Sequence, residues 1–395
     1  MNSVELFAGA GGLALGTARA GFRHEVVIER DPDACRTLRR NKVGGVEHVA
    51  DWAILQGSVE DYDFTIHADR VDCVFGGPPC QPFSLGGKHR GQGDERNMFP
   101  QAVRAVREIR PKAFMFENVK GLLRESFANY FTYIIHQLRY PAIARRGDEE
   151  WGHHMSRLER LHTAGERIEP RYNVVYQLLN AADYGVPQQR ERVFIVGLRS
   201  DLGVEFAFPG PTHEEDALLH AKWVSGEYWE RHQIAKSERP PMDIRERRRV
   251  DRLRSLVPMM LLSPWRTVRD AIGDLPRLSP GERCQDVRNH FLNPGARSYP
   301  GHTGSPYDEP AKTLKAGDHG VPGGENTLRM EDGTVRYFSV RECARIQTFP
   351  DAWMLEGSWT ESMRQLGNAV PVDLGAAVAG HLARVLRPSR SRAPR

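Results

Sequence analysis

The sequence predicts an α/β protein built on a doubly wound, mostly parallel sheet, with a smaller second domain. Three observations carry this expectation. The first two hundred residues alternate short apolar runs with amphipathic stretches, the order that lays helices on both faces of a parallel sheet. A glycine-rich turn, Gly9–Gly12, separates the first apolar run from the first amphipathic one. Between about Asp201 and Thr334 the pattern changes: Pro and Gly become frequent and periodic segments are short.

Taken in order, Ser3–Phe7 reads as a strand and the residues after Gly12 as a helix to about Ala20. Glu25–Glu29 reads as a second strand, followed by a helix from Pro32 to Asn41. Val71–Phe75 is a strand that stops at Gly76-Gly77-Pro78-Pro79. Phe99–Ile109 is helical, Ala113–Glu117 is a strand, and helical spacing resumes to about Leu138. Pro141–Glu169 is polar and rich in His and Arg, and reads as an insertion. Tyr172–Leu179 and Arg192–Leu198 have strand character and are expected to extend the sheet as a hairpin. In the changed region, Trp223–Gln233 and Asp243–Leu256 look helical. Helical spacing returns from Tyr337 to Leu386. The expected divisions are therefore 1–200, 201–334, and 335–387 completing the first unit, with 388–395 a disordered tail.

Composition narrows the class. A chain of 395 residues exceeds one minimal domain, and 40% hydrophobic residues suffice for a substantial core. No run of about 18 uncharged apolar residues exists, and no basic leader precedes Val4, so neither a membrane span nor a signal peptide is expected. The five cysteines (35, 73, 80, 284 and 343) form no Cys-x-x-Cys pair, which argues against a zinc site or a disulfide framework and fits a reducing cytoplasm. No metal is expected. A net charge of +4 says little about partners. Its distribution says more: Arg245, Arg247, Arg248, Arg249, Arg252 and Arg254 cluster, with Glu246 and Asp251 between them. Such a run is either a solvated helix face or a phosphate-contacting one.

Four groups fall just past strand ends, where ligands bind in sheets of this kind. Phe7-Ala8-Gly9-Ala10-Gly11-Gly12 opens a helix, and glycines there let a ligand approach the backbone. Glu29, about twenty residues on, suits hydrogen bonding to ribose hydroxyls. In Gly76-Gly77-Pro78-Pro79-Cys80-Gln81-Pro82-Phe83-Ser84 the prolines stiffen a turn that presents Cys80, the candidate nucleophile. Glu117-Asn118-Val119 ends the neighbouring strand and sets a carboxyl group near Cys80, where an apolar pocket would keep it protonated. Gln188-Gln189-Arg190-Glu191-Arg192 precedes a later strand. Alternation puts Arg190 and Arg192 on one face, where they could hold a carbonyl oxygen and a phosphate.

Together and in this order, these segments resemble the cytosine-C5 DNA methyltransferase family, over about the first 200 and the last 60 residues. The resemblance implies a Rossmann-like fold of the class I S-adenosylmethionine-dependent methyltransferases, of the bacterial type II modification kind. It implies that Phe7, Ala8, Gly9, Gly11 and Gly12 contact S-adenosyl-L-methionine, with Glu29 on its ribose and Pro79 near the methyl donor. Arg341–Pro350 matches a late motif of structural role. Gln365-Leu366-Gly367-Asn368-Ala369-Val370-Pro371 matches the last motif, in which Asn368 and Ala369 complete the cofactor pocket. Cys80, Glu117, Arg190 and Arg192 become the catalytic set, and Gln81, Ser84 and Asn118 the substrate-binding one. The chain departs from the family at Gly57-Ser58-Val59, where Asp is usual. Ser58, Glu60 or Asp61 then supplies the adenine contact, and Ser58 and Val59 are counted among the cofactor-binding residues. It also departs near Met98-Phe99, which sits one residue short. The implied partner is double-stranded DNA with the target cytosine extruded, and Gln81–Asn97 is expected to close over it. Residues 201–334 would read the sequence. A cognate restriction endonuclease acting without a stable complex, and a monomeric state, complete the expectation. The rivals are a tRNA-directed relative, an amino-group methyltransferase, a non-catalytic DNA-binding homologue and a nicotinamide dehydrogenase. The amino-methylating and dehydrogenase readings leave Cys80 without a purpose, and the tRNA signature Cys-Phe-Thr is absent.

Overall fold

The computed structural model describes residues 1–79, 97–165, 168–254, 262–298, 303–316, 326–330 and 332–387. In chain order its first part runs β1 (Asn2–Leu6), α1 (Gly12–Arg19), β2 (Arg23–Glu29), α2 (Pro32–Val43), β3 (Ile54–Gln56), β4 (Cys73–Gly76), α3 (Phe99–Ile109), β5 (Ala113–Val119), α4 (Ala128–Arg139), α5 (Trp151–Ala164), β6 (Tyr172–Asn180) and β7 (Glu191–Arg199). Seven strands form one sheet in the order β3-β2-β1-β4-β5-β7-β6. The first five are mutually parallel, whereas β7 runs antiparallel to both β5 and β6. This is the expected α/β architecture, including the hairpin-like extension.

Alternation along the strands assigns the two faces. Val74, Phe114 and Phe116 point to the layer of α3 and α4, with Val103, Val106, Ile134 and Leu138. Cys73, Phe75, Ala113 and Met115 point to the opposite layer of α1 and α12 (Val372–Leu386), with Leu13, Leu374, Val378 and Leu382. Chain end thus packs on chain start. The apolar stretch 359–386 divides at Ala369-Val370-Pro371 into α11 (Trp359–Asn368) and α12, and both are core helices.

Several expectations shift in detail. The polar segment 141–169 holds α5, docked on α4 through Tyr133 Oη to His154 Nδ1 at 2.7 Å. β3 has only three residues, too few for a periodic signal. The helical reading of Trp223–Gln233 breaks at Gly226 (φ 80°) into α6 (Glu215–Trp223) and α7 (Glu227–Arg231). Asp243 caps α8 (Ile244–Leu253), its carboxylate accepting from Arg245 N–H. β8 (His213–Glu214) pairs with β9 (Ser263–Pro264), and α9 (Val268–Ile272) follows. β10 (Thr327–Arg329) and β11 (Val335–Tyr337) form a hairpin before α10 (Val340–Ile346).

Candidate active site

The parallel strands β1 to β5 all end on one edge, and Glu29, Pro79, Glu117 and Arg192 among the predicted residues lie there. After β1 the chain turns through Phe7 (φ 56°) and Gly9 (φ 53°), conformations that let it double back before α1. A side chain at Gly9 would meet no atom within 4 Å, so this face of the loop is open. Gly12 is the opposite case. A β-carbon there would stand 2.2 Å from Val370 O and 3.3 Å from Ala369 Cβ, so only glycine lets the last motif lie against the loop. Asn368 is exposed beside this contact and Ala369 is buried in it.

Glu29 ends β2 with its carboxylate fixed by backbone. Gly9 N–H donates to Oε2 at 2.7 Å and Asp31 N–H to Oε1 at 2.8 Å. Each oxygen keeps a lone pair for a further donor. Gly57 N–H donates to Glu29 O at 3.0 Å, which brings the next turn alongside. Ser58 caps that turn, accepting from Glu60 N–H at 3.2 Å, and Val59 is buried beneath it. Phe99 is wholly enclosed in the core, while Met98, at 6% exposure, bonds through its N–H to Pro79 O at 3.1 Å.

Cys80, Gln81 and Ser84 lie outside the described residues, as does the rest of the loop through residue 96. The chain enters that loop at Pro79 and leaves it at Asn97, whose amide donates to Tyr130 Oη. The turn leading in is well defined. Asn118 Nδ2 donates to Pro78 O at 2.9 Å, so this buried amide grips the turn. A β-carbon on Gly77 would lie 3.3 Å from Glu117 Oε2, which puts the carboxyl group directly under the turn.

Glu117 is 7% exposed and pairs with Arg192, Nε to Oε1 at 2.8 Å. The pair is diagonal: Glu117 faces Phe194 across the β5–β7 ladder, and Arg192 is two residues along. Burial pushes the Glu117 carboxyl above the usual carboxylate range, while Arg192 and then Arg190 pull it back. Burial likewise lowers Arg192, against the pull of Glu117. For both partners desolvation outweighs attraction, as in many buried ion pairs. A proton can therefore reside on Glu117 more readily than on an exposed glutamate.

Arg190 is placed differently from the expectation that it holds a substrate oxygen. It is fully buried and donates to Leu314 O at 2.9 Å, Gly367 O at 2.6 Å and Ala369 O at 3.0 Å. Those bonds engage both terminal nitrogens, so Arg190 clasps the last motif to the sheet. Gln188 works beside it, accepting from Leu314 N–H at 3.0 Å and donating to Gln347 Oε1 at 3.0 Å. Gln347 in turn donates to Leu366 O and Ala369 O. Sequence reasoning gave Gln347 no individual role, and nothing in its spacing sets it apart. Arg341 is buried and bonds Arg288 O, Pro350 O and Trp353 O, in keeping with a structural motif. The segment from Asp308 to Leu314 is held by Arg269 at one end (2.6 Å) and by Gln188 and Gln189 at the other.

Asp31, Asp33 and Glu361 approach within 4.8 Å of one another. Arg364 bonds Asp31 and Glu361 at 2.7 Å each, and Arg36 pairs with Asp33, so guanidinium groups already serve these carboxylates.

Comparison with known proteins agrees with this geometry. Residues 1–140 and 156–384 match the family described as C-5 cytosine-specific DNA methylase. The chain belongs to this family. Proteins similar to it include the type II methyltransferase M.Eco47II of Escherichia coli, 32% identical over 97% of this chain and 79% of that protein. M.PspPI of a Psychrobacter species is 34% identical with the same coverage. M.NgoMIV of Neisseria gonorrhoeae is 31% identical over 98% of both chains. Among solved structures, a Spodoptera frugiperda DNMT2 variant superposes with a TM-score of 0.56 at 17% identity, covering 97% of this chain and 98% of that one, which supports the fold. The unmatched residues 141–155 fall in the segment read as an insertion.

Proposed function

We propose that this chain transfers a methyl group from S-adenosyl-L-methionine to C5 of one cytosine within a specific duplex sequence, through a covalent bond between Cys80 and C6. We further propose that it is the modification partner of a restriction endonuclease, acting as a monomer. The observation that carries the reading is the buried Glu117–Arg192 pair lying under the turn that leads into Cys80.

The residues at the edge suit the cofactor. Gly9 leaves an open face, Glu29 presents two oriented oxygens, and Ser58, Val59, Pro79, Asn368 and Ala369 surround the same end of the sheet. Bound there, S-adenosyl-L-methionine supplies an electrophilic methyl group. The remaining work falls to the chain. C5 of cytosine is too weak a nucleophile alone. The Cys80 thiolate adds its electron pair to C6, and Glu117 delivers its proton to N3, which leaves C5 electron-rich. C5 then takes the methyl group, and the pair of the broken bond stays on the donor's sulfur. Loss of the C5 proton to a base, expulsion of the Cys80 thiolate and return of the N3 proton to Glu117 restore the ring and the enzyme. Attack at C6 comes from above the ring plane, so the base must leave the stack. Arg192 steadies Glu117 and is positioned to meet the pyrimidine carbonyl. Residues 201–334 carry sequence recognition, and Asp308–Leu314 joins them to the site.

The test is trapping on duplex DNA containing 5-fluorocytosine, where the C5 substituent cannot leave as a proton. With S-adenosyl-L-methionine, a denaturation-resistant adduct at the Cys80 peptide is expected, and none with Cys80→Ser. Methyl label recovered on an amino nitrogen, or a Cys80→Ser enzyme working at full rate, overturns the reading. Turnover on tRNA in place of duplex DNA overturns the substrate assignment.

A further inference from the structure

The arginine run noted in the sequence is α8, and its arginines divide into two groups. Arg249 reaches back to α6, bonding Glu215 at 2.9 Å and Asp216 at 2.5 Å. Arg254, just past the helix, pairs with Asp251 at 2.9 Å. By contrast, Arg245, Arg247 and Arg248 are exposed and form no ion pair with a described residue.

The helix has a fixed rotation. Val250 and Leu253 are buried against Leu219, Val224 and Met242. At about 100° per residue, Arg245 and Arg248 then lie on the outward face. Of the five arginines in Ile244–Leu253, Arg249 is paired with Glu215 and Asp216, whereas Arg245, Arg247 and Arg248 carry their charge without an ion pair to a described residue.

Its position follows from a short chain of contacts. β6 ends at Asn180, level with Glu191 on the site edge of the sheet. The next turn carries Asp183, whose backbone oxygen accepts from Thr212 N–H at 2.9 Å and whose carboxylate accepts from Trp265 Nε1 at 3.0 Å. Those residues begin and end the β8–β9 pair, and Glu215 and Asp216, the anchors of Arg249, follow at once. α8 is thus tethered to the same edge that holds Glu117 and Arg192.

We infer that the exposed arginines of α8, Arg245 and Arg248 on its outward face and Arg247 on its flank, bind the DNA phosphate backbone flanking the target site. The inference rests on the duplex-DNA reading proposed above. Guanidinium groups without protein partners keep all their donors for phosphate oxygens, and each contact releases condensed counterions. Such contacts hold the duplex without reading its sequence.

The experiment compares the full chain with the triple variant Arg245→Gln, Arg247→Gln, Arg248→Gln. Fluorescence anisotropy gives the Kd for a duplex between 50 and 200 mM salt, and turnover at saturating DNA gives kcat. Each lost phosphate contact lowers the salt slope by about 0.9, so three lower it by roughly 2.7. The parent then loses about 40-fold more affinity than the variant across that fourfold salt range. Unchanged kcat and an unchanged methylated sequence by bisulfite sequencing are expected alongside. Arg249→Gln, which cuts the tie to α6, lowers the unfolding temperature and serves as the structural control. Equal salt slopes mean a solvated face and overturn the inference, as does a relaxed target sequence, which would mean base reading. Because binding is read without turnover, failure of the C5 chemistry and failure of this surface are distinguishable.

Discussion

Glu5 and Glu117 are two buried glutamates on one sheet, on the same face, and they meet opposite conditions. Across β1, β4 and β5, Glu5 is level with Phe75 and Met115, so Glu117 lies only two residues nearer the edge, about 7 Å away along the strand direction. Both carboxyl groups are pushed up by burial. Glu117 has Arg192 at 2.8 Å, whereas neither oxygen of Glu5 has a hydrogen-bond partner among the described residues. The difference is positional. At mid-strand the covering layer is built from Leu13, Phe22, Phe75, Met115 and Leu374. At the edge, the antiparallel return of β7 brings an arginine within reach. Under the proposed chemistry, Glu117 serves as proton donor because burial and a cation act on it together, whereas burial acts on Glu5 alone.

The strongest way to break this comparison is Glu117→Gln. An amide keeps the shape and cannot deliver a proton, so kcat should fall by about 10²- to 10⁴-fold with the fold retained by circular dichroism. In the parent, the protonated form is the competent one. The rate should therefore decline as pH rises through the elevated Glu117 pKa, and the variant should lack that limb. A variant with kcat near the parent value would remove Glu117 from the chemistry. Next in size is Arg192→Ala, which turns Glu117 into a second Glu5. Removing one partner of a buried pair costs about 3–5 kcal/mol, to be read by urea unfolding. Any residual rate should keep its alkaline limb to higher pH, because the cation that pulled the carboxyl down is gone. An unmoved limb would mean that burial alone sets the proton on Glu117.

How much of this was legible beforehand depends on the kind of signal. The strand–helix alternation located β1, β2, β4, α3, β5, β6 and β7, because apolar period and turn residues are local properties. Glu117 and Glu29 were legible because each follows a strand end. The role of Arg190 was not. Alternation gives the face a side chain takes, but its partners, Leu314, Gly367 and Ala369, are more than 120 residues away. The bond from the Asn118 amide to Pro78 O was not legible for a related reason, since it is visible only once β4 and β5 are adjacent. Gly12 shows the same limit: its close approach to Val370 O, about 360 residues on, is invisible in the loop sequence.

The smallest effect is expected at Glu5, and it bears on the other half of the comparison. Since its carboxyl has no partner among the described residues, Glu5→Met exchanges an unsatisfied polar group for an apolar one of similar length. The expected gain in unfolding free energy is about 1–3 kcal/mol near pH 8. The gain should shrink at acid pH, and the sign can be worked through. Burial raises the folded pKa of Glu5 above its unfolded value of about 4.3, so the protonated group favours the folded state. That contribution is fully present below the unfolded pKa and is lost as pH rises through the folded one. The parent therefore weakens with rising pH over this window, and Glu5→Met does not. Urea unfolding at pH 5 and pH 8 on both proteins reads the difference. A variant less stable than the parent at both values would mean that Glu5 has a polar partner after all, and its contrast with Glu117 would fall.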